Sequence, residues 1–296
     1  MTAKTVLEYD RPPAVAPSYL RAATTLGGGL GQGETIPRIE SSIPGMRPDA
    51  KALRDYQKVC GFKGSESLPI TYPHVMAFPV HMAVMTHSDF PLKLLGLVHV
   101  RNKITQQRAL APDEALDLKV RVGGHRDVHN GVEFDLVTEY FDASKEPVWT
   151  GLSTMLSRGK GTGKKSGKKP GSKNGDDDKA LEFGRYATWD APANIGRNYA
   201  ASAGDYNPIH LSALSAKLFG FPRAIAHGMW LKARTAAQVE GELTQSAYSI
   251  EVAFKRPVLL PSSVMLKYNP GKKGIDFLLS DPDGETKHVF GNVTYL

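Results

Sequence analysis

The sequence predicts an α+β protein made of two tandem units that share one plan. Three observations carry this. The chain has 296 residues, more than one compact domain usually holds. A charged, low-complexity stretch divides it. The same order of elements, an apolar helix and then four antiparallel strands, stands on either side of that stretch.

Residues 1 to about 55 are rich in Pro and Gly, including Gly27-Gly28-Gly29 and Gly31, and predict an extended arm over the surface. The glycines are not followed by Lys and Ser or Thr, so they do not read as a phosphate loop. The first unit is expected over 56–158. It has an apolar helical stretch near Val80–Thr86 and a strand around Leu97–Gln106. In the next strand Leu118, Val120 and Val122 alternate with polar residues, as a half-buried strand requires. His129-Asn130-Gly131 supplies a tight turn, and Val132, Phe134 and Leu136 start the return. Asp142 to Pro147 turn into a last strand, Val148 to Ser157.

Residues 159–180 read as a flexible Lys/Gly-rich linker, too polar to bury apolar surface. The second unit, 181–296, repeats the order. A helix runs from Gly228 to Glu240, and a strand covers Tyr248–Arg256. Val264, Leu266 and Tyr268 alternate, then Ile275, Phe277 and Leu279, and a last strand passes Val289 and Val293 to Tyr295.

The formal net charge of +7 is unevenly placed. Eight Lys/Arg against three Asp between Arg158 and Lys179 supply most of it, leaving the folded parts near neutral. The linker has no aromatic residues to stack on bases, so a solvated tether is the reading and no nucleic-acid partner is expected. Cys60 is the lone cysteine, which excludes an internal disulfide and argues against a cysteine metal site. The start MTAKTVLEYDRPP lacks a basic segment followed by an apolar run, and no stretch has about 18 consecutive apolar residues. A soluble, cytoplasmic protein with no membrane partner is the expectation.

The chemistry concentrates in Tyr199-Ala-Ala-Ser-Ala-Gly204-Asp205-Tyr206-Asn207-Pro208-Ile209-His210 and in Ala224-Ile225-Ala226-His227-Gly228-Met229. Pro208 fixes its own φ and turns Asn207 away from helix, so the chain bends between Asp205 and His210. A carboxylate and an imidazole on one side of a bend can hold a water and move its proton near neutral pH. The alternative is an Asx turn in which Asp205 and Asn207 only cap the following helix. Gly228, at a helix start, offers an N–H at the positive end of the dipole, suited to a developing oxyanion.

These segments resemble the MaoC-like family of (R)-specific enoyl-CoA hydratases and 3-hydroxyacyl-thioester dehydratases. The shared pattern is an aromatic residue, small residues, Gly-Asp-x-Asn-Pro-hydrophobic-His and a His-Gly-Met segment, clearest over about 185–296. The resemblance implies a hotdog fold, a sheet wrapped round a central helix, and here two of them in a pseudo-dimer. It implies that Asp205 and His210 activate water and that Gly228 supplies the oxyanion N–H. Tyr206, Asn207, His227 and Met229 would lie by the substrate, and Asn207 would shape the loop. Where several relatives carry a Ser in the helix, this chain reads Trp230-Leu231-Lys232-Ala233.

The first unit lacks the motif; at the place assigned to the counterpart of Gly228 it has Phe78-Pro79-Val80-His81-Met82. This half is expected to be degenerate and to make room for the acyl chain, with Met76, Phe78, Met82 and Met85 either lining that space or forming core. His74 and His81 read as structural, hydrogen-bonded residues. Arg223 and Lys217 either meet the phosphates of a pantetheine carrier or are surface charges. The resulting expectation is reversible hydration of a trans-2-enoyl thioester of CoA or acyl carrier protein, without metal or redox cofactor, by a monomer or homodimer. A thioesterase on the same fold and a non-catalytic acyl-thioester binder are the alternatives.

Overall fold

The computed structural model describes residues 4–24, 28–30, 33–64, 66–159 and 182–296. All of the expected linker beyond Gly159 lies outside them. The first half contains β1 (Lys4–Glu8), α1 (Val15–Thr24), β2 (Arg38–Met46), α2 (Ala50–Cys60), α3 (Tyr72–Met85), β3 (Leu97–Gln106), β4 (Leu116–Val128), β5 (Gly131–Phe141) and β6 (Pro147–Arg158). The second contains β7 (Arg185–Ala191), α4 (Ile195–Ala203), a 3-10 turn (Pro208–His210), α5 (Ala213–Lys217) and α6 (Gly228–Val239). It ends with β8 (Tyr248–Phe254), β9 (Ser262–Gly271), β10 (Gly274–Ser280) and β11 (Lys287–Tyr295).

Among the described residues the strands form one sheet, in the order β1-β2-β4-β5-β6-β3-β8-β11-β10-β9-β7. From β2 to β3 and from β7 back to β8 the order is the same, so the halves are related by a pseudo-two-fold axis at the β3–β8 seam. That seam is antiparallel and runs from Arg101 opposite Ala253 to Gln106 opposite Tyr248. The alternation read in the sequence is the inward face: Leu118, Val120 and Val122, and across the seam Val264, Leu266 and Tyr268, are all buried. Each half-sheet wraps its own helix, α3 or α6, and the fold is a double hotdog.

Two differences from the sequence reading have physical causes. The segment read as a surface arm contributes β2, which pairs with β4 and buries Ile39 and Ile43, and β1, which pairs with β2 in parallel. Glu40, buried between them, is held by Lys4 at 2.8 Å and Arg38 at 2.5 Å. The central helix of the first half starts at Tyr72, not near Val80, and continues through Pro79. An interior proline costs a helix about 3 kcal/mol, but ten of the fourteen residues of α3 are buried, and their burial offsets that cost. The counterpart of Gly228 is therefore Tyr72 rather than Phe78, which lies further along the helix.

Lys232 ties the halves together. It is fully buried on α6, and its ammonium nitrogen reaches the Asn102 carbonyl (3.3 Å) and side-chain oxygen (2.5 Å) on β3 and the Ile250 carbonyl (2.9 Å) on β8. Burial pushes its pKa well below the usual lysine value. Lys232→Met keeps the stem but orphans these acceptors. It is expected to lower stability by about 1–3 kcal/mol, read from the urea midpoint at unchanged m-value.

Candidate active site

The Asp205–His210 segment is shaped by local rules. Gly204 closes α4 in the left-handed region at φ 76°, which turns the chain so that Asp205 leaves the helix axis. Asp205 Oδ1 accepts from the Asn207 N–H at 3.1 Å, and Asn207 Oδ1 accepts from the Ile209 N–H at 3.4 Å. The Asx turn read as an alternative is therefore present, and Asn207 shapes the loop. Both motif residues are also brought together: Asp205, His210 and His227 offer atoms all within 4.8 Å of one another. Gly196 makes this packing feasible, because a Cβ there would come within 1.9 Å of the His210 carbonyl oxygen.

Hydrogen bonding sets the state of each ring. His210 Nδ1 lies 2.8 Å from the Ile225 carbonyl, which can only accept, so Nδ1 carries the proton. Burial, reinforced by His227 alongside, pushes the His210 pKa down to about 3. At neutral pH the ring is uncharged and its Nε2 keeps a lone pair. His227 Nε2 donates to the Asp205 carbonyl at 2.9 Å, and burial lowers its pKa to about 4. The two rings stack with centroids 3.7 Å apart. Asp205 Oδ2 lies 3.9 Å from His227 Nε2. With His210 Nδ1 and His227 Nε2 each engaged by a carbonyl, what remains is a carboxylate oxygen and two unprotonated imidazole nitrogens, His210 Nε2 and His227 Nδ1, the latter buried without a partner. Three groups at this spacing could approach a metal, but this donor set suits holding a water and moving its proton better than completing a metal shell.

Gly228 opens α6, with His227 as its N-cap. An N–H in the first helical turn has no acceptor within the helix and stands at the positive end of the dipole. A Cβ on Gly228 would meet the Phe254 ring at 3.0 Å, so the backbone here lies directly against that ring.

One contact was not legible in the sequence. Tyr19, on α1, accepts the Tyr206 N–H at 2.6 Å, and its hydroxyl is 3.4 Å from Asp205 Oδ1. Burial and the neighbouring carboxylate raise the Tyr19 pKa, so the phenol stays protonated. A tyrosine in an N-terminal segment has no sequence signal marking it as a neighbour of a loop 186 residues away.

Asp205, His210, His227, Gly228 and Met229 line one cavity of about 220 Å³, together with Asn207, Phe78 and Met85. The first half thus contributes a wall through Phe78 and Met85. Met82 is packed in the core and is not among the lining residues, nor is Met76. Tyr206 is about half exposed, its backbone held by Tyr19, and it does not line the cavity. Arg223 lies outside it as well, its guanidinium 3.4 Å from the Pro261 carbonyl, and Lys217 is exposed on α5. The cations at the cavity are instead Arg158, Lys255 and Arg256, all exposed and so at its mouth. Among the described residues no helix is long and apolar enough to cross a membrane.

Comparison with known proteins agrees with the geometry. Residues 184–275 match the model of the MaoC like domain. The chain is 32% identical over 281 residues to 3-hydroxyacyl-thioester dehydratase X of Mycobacterium tuberculosis, covering 95% of this chain and 98% of that protein. A crystal structure of HtdX from M. tuberculosis superimposes with a TM-score of 0.75 at 32% identity, over 86% of this chain and 99% of that one. A MaoC-like dehydratase from Phytophthora capsici shares the fold at 18% identity, with a TM-score of 0.69 over 90% of this chain and 98% of that one. With the loop, the helix start and the doubled sheet all in place, this chain belongs to the MaoC-like dehydratase family.

Proposed function

We propose that the chain catalyses the reversible hydration of trans-2-enoyl thioesters to (R)-3-hydroxyacyl thioesters. The observation that carries this reading is the convergence of Asp205, His210 and the Gly228 helix start on one cavity. A water held between the Asp205 carboxylate and His210 Nε2 gives up a proton to the pair as its oxygen bonds to the β-carbon. The π electrons move toward the thioester oxygen, which the Gly228 N–H receives. A proton returned from the pair to the α-carbon completes the addition, and delivery from one side makes it syn. The (R) outcome rests on the family resemblance. Arg158, Lys255 and Arg256 line the cavity and are the cations available to the phosphates of a CoA or carrier-protein pantetheine arm.

The test is loss of the conjugated thioester absorbance with crotonyl-CoA and a longer trans-2-enoyl-CoA, with free thiol measured in parallel. Hydration without thiol release is expected. Thiol release without hydration would make the protein a thioesterase. If neither occurs with CoA or carrier-protein substrates, the reading as an enzyme fails.

Tyr19 acts through the loop. Tyr19→Phe removes the acceptor for the Tyr206 N–H and the hydroxyl beside Asp205. It is expected to lower kcat roughly tenfold with KM nearly unchanged, as for a group that positions a catalytic base. Near-normal kcat in Tyr19→Phe with loss in Tyr19→Ala would point to packing of the ring instead.

A further inference from the structure

The wall that the first half contributes to the cavity is not hydrocarbon throughout. His74 and His81, seven residues apart on one face of α3, and His99 on β3 all line it. Their rings are contiguous: His74 and His81 have centroids 5.0 Å apart, and His74 and His99 6.2 Å. The His99 ring lies 5.3 Å from Phe254, the ring against which Gly228 packs. The order from the reacting end is therefore Gly228, Phe254, His99, His74, His81. An acyl chain whose thioester oxygen sits at Gly228 meets His99 several carbons beyond the reacting bond.

The polar atoms of this wall are incompletely matched. His81 Nε2 is 2.8 Å from the Thr138 hydroxyl, but His99 Nε2 is buried without a partner. Burial holds His74 and His99 at a pKa of about 3 and His81 well below its usual value, so all three rings are neutral. His99 Nε2 is the open hydrogen-bonding position, and none of the three rings carries a positive charge. The nearby cation, Lys232, has its nitrogen directed at Asn102 and Ile250 instead. A carboxylate at this wall would meet no charged ring, and the Lys232 nitrogen is already held by oxygens of Asn102 and Ile250. A saturated chain would leave His99 Nε2 buried with nothing to bond, which a pocket for plain hydrocarbon avoids. A hydroxyl both donates and accepts, and matches what the rings present.

We infer that this cavity selects acyl groups carrying a neutral oxygen function, with a hydroxyl as the fullest match, received by His99 with His74 and His81 beyond the reacting carbons. The inference rests on the hydration reading for the placement of the thioester at Gly228, and its test does not require turnover. Binding is measured by calorimetry on the full chain with non-reactive saturated hexanoyl-, octanoyl- and decanoyl-CoA and with the ω-hydroxy form of each. At one or more lengths the hydroxylated ligand is expected to bind roughly tenfold tighter than its parent, as when a site's polar groups gain a partner. His99→Leu is expected to abolish that preference, and His99→Gln to keep part of it. If His99→Leu fails to fold, His99→Phe, which preserves a ring, replaces it. Equal or tighter binding of the unsubstituted ligand at every length, or a preference that survives loss of the imidazole, overturns the inference. Because the ligands do not react, that result is distinct from a failure to hydrate crotonyl-CoA.

Discussion

Asp205→Asn and His210→Ala are each expected to lower kcat/KM for trans-2-enoyl thioesters by roughly 10²–10⁴-fold, the range for removing a positioned acid–base group. The two changes act on different atoms. Asp205→Asn leaves Oδ1 as an acceptor for the Asn207 N–H, so the turn survives and only the basic carboxylate is lost. His210→Ala removes the imidazole nitrogen and also deprives the Ile225 carbonyl of its donor. That orphaned acceptor costs about 1–3 kcal/mol of stability, so the kinetic effect must be read on protein shown to be folded by thermal unfolding. The double variant discriminates further. Groups that work on one water as a unit are non-additive, so it should lose little more than the worse single variant. Steady-state kinetics on all three variants checks this. A loss equal to the product of the singles would mean that the residues act independently, and near-wild-type rates in Asp205→Asn would remove the carboxylate from the chemistry.

Acid is expected to unfold the protein cooperatively well above the usual carboxylate range. Five deeply buried imidazoles, those of His74, His81, His99, His210 and His227, have pKa values lowered in the fold, chiefly by burial, and that of the less buried His288 is lowered as well. Their ordinary value is 6.5. Lowered pKa values mean that the unfolded chain binds protons which the folded chain does not. The stabilisation is thus fully present above pH 6.5 and is lost as pH falls below it. Each group removes about 1.4 kcal/mol per pH unit once its unfolded form is protonated. Together the five approach about 7 kcal/mol per unit, as much as the whole stability of many domains, about 5–15 kcal/mol. The transition is expected between about pH 6 and pH 5, followed by far-ultraviolet circular dichroism and tryptophan fluorescence. His81→Phe, which removes one of the five, should reduce the steepness. A chain still native at about pH 4 would show that these rings are charged within the fold or reached by water.

The double-hotdog architecture was largely legible because its strands are half buried. A sheet with one face on the core writes a period of two into the chain, and Leu118, Val120, Val122 and their counterparts Val264, Leu266 and Tyr268 carry it plainly. β2 carries no strand signal, although Ile39 and Ile43 are buried, because its glycine and proline read as loop. The start of α3 is hidden in the sequence for a related reason. Pro79 signals an end by local propensity, and only burial on nearly every side of the helix overrides it.

The sequence by itself determined the doubled order of elements, the turn between Asp205 and His210 and the helix start at Gly228, since each depends on residues adjacent along the chain. Only the tertiary structure decided what stands around them. Tyr19 reaches the loop across 186 residues, Lys232 joins the two halves, and three histidines from the half without the motif close the far wall. The reason is range: turns, caps and periodicity are local and recur with residue type. Which side chains meet across a pseudo-two-fold seam is set by the packing of whole sheets, and no local pattern encodes it.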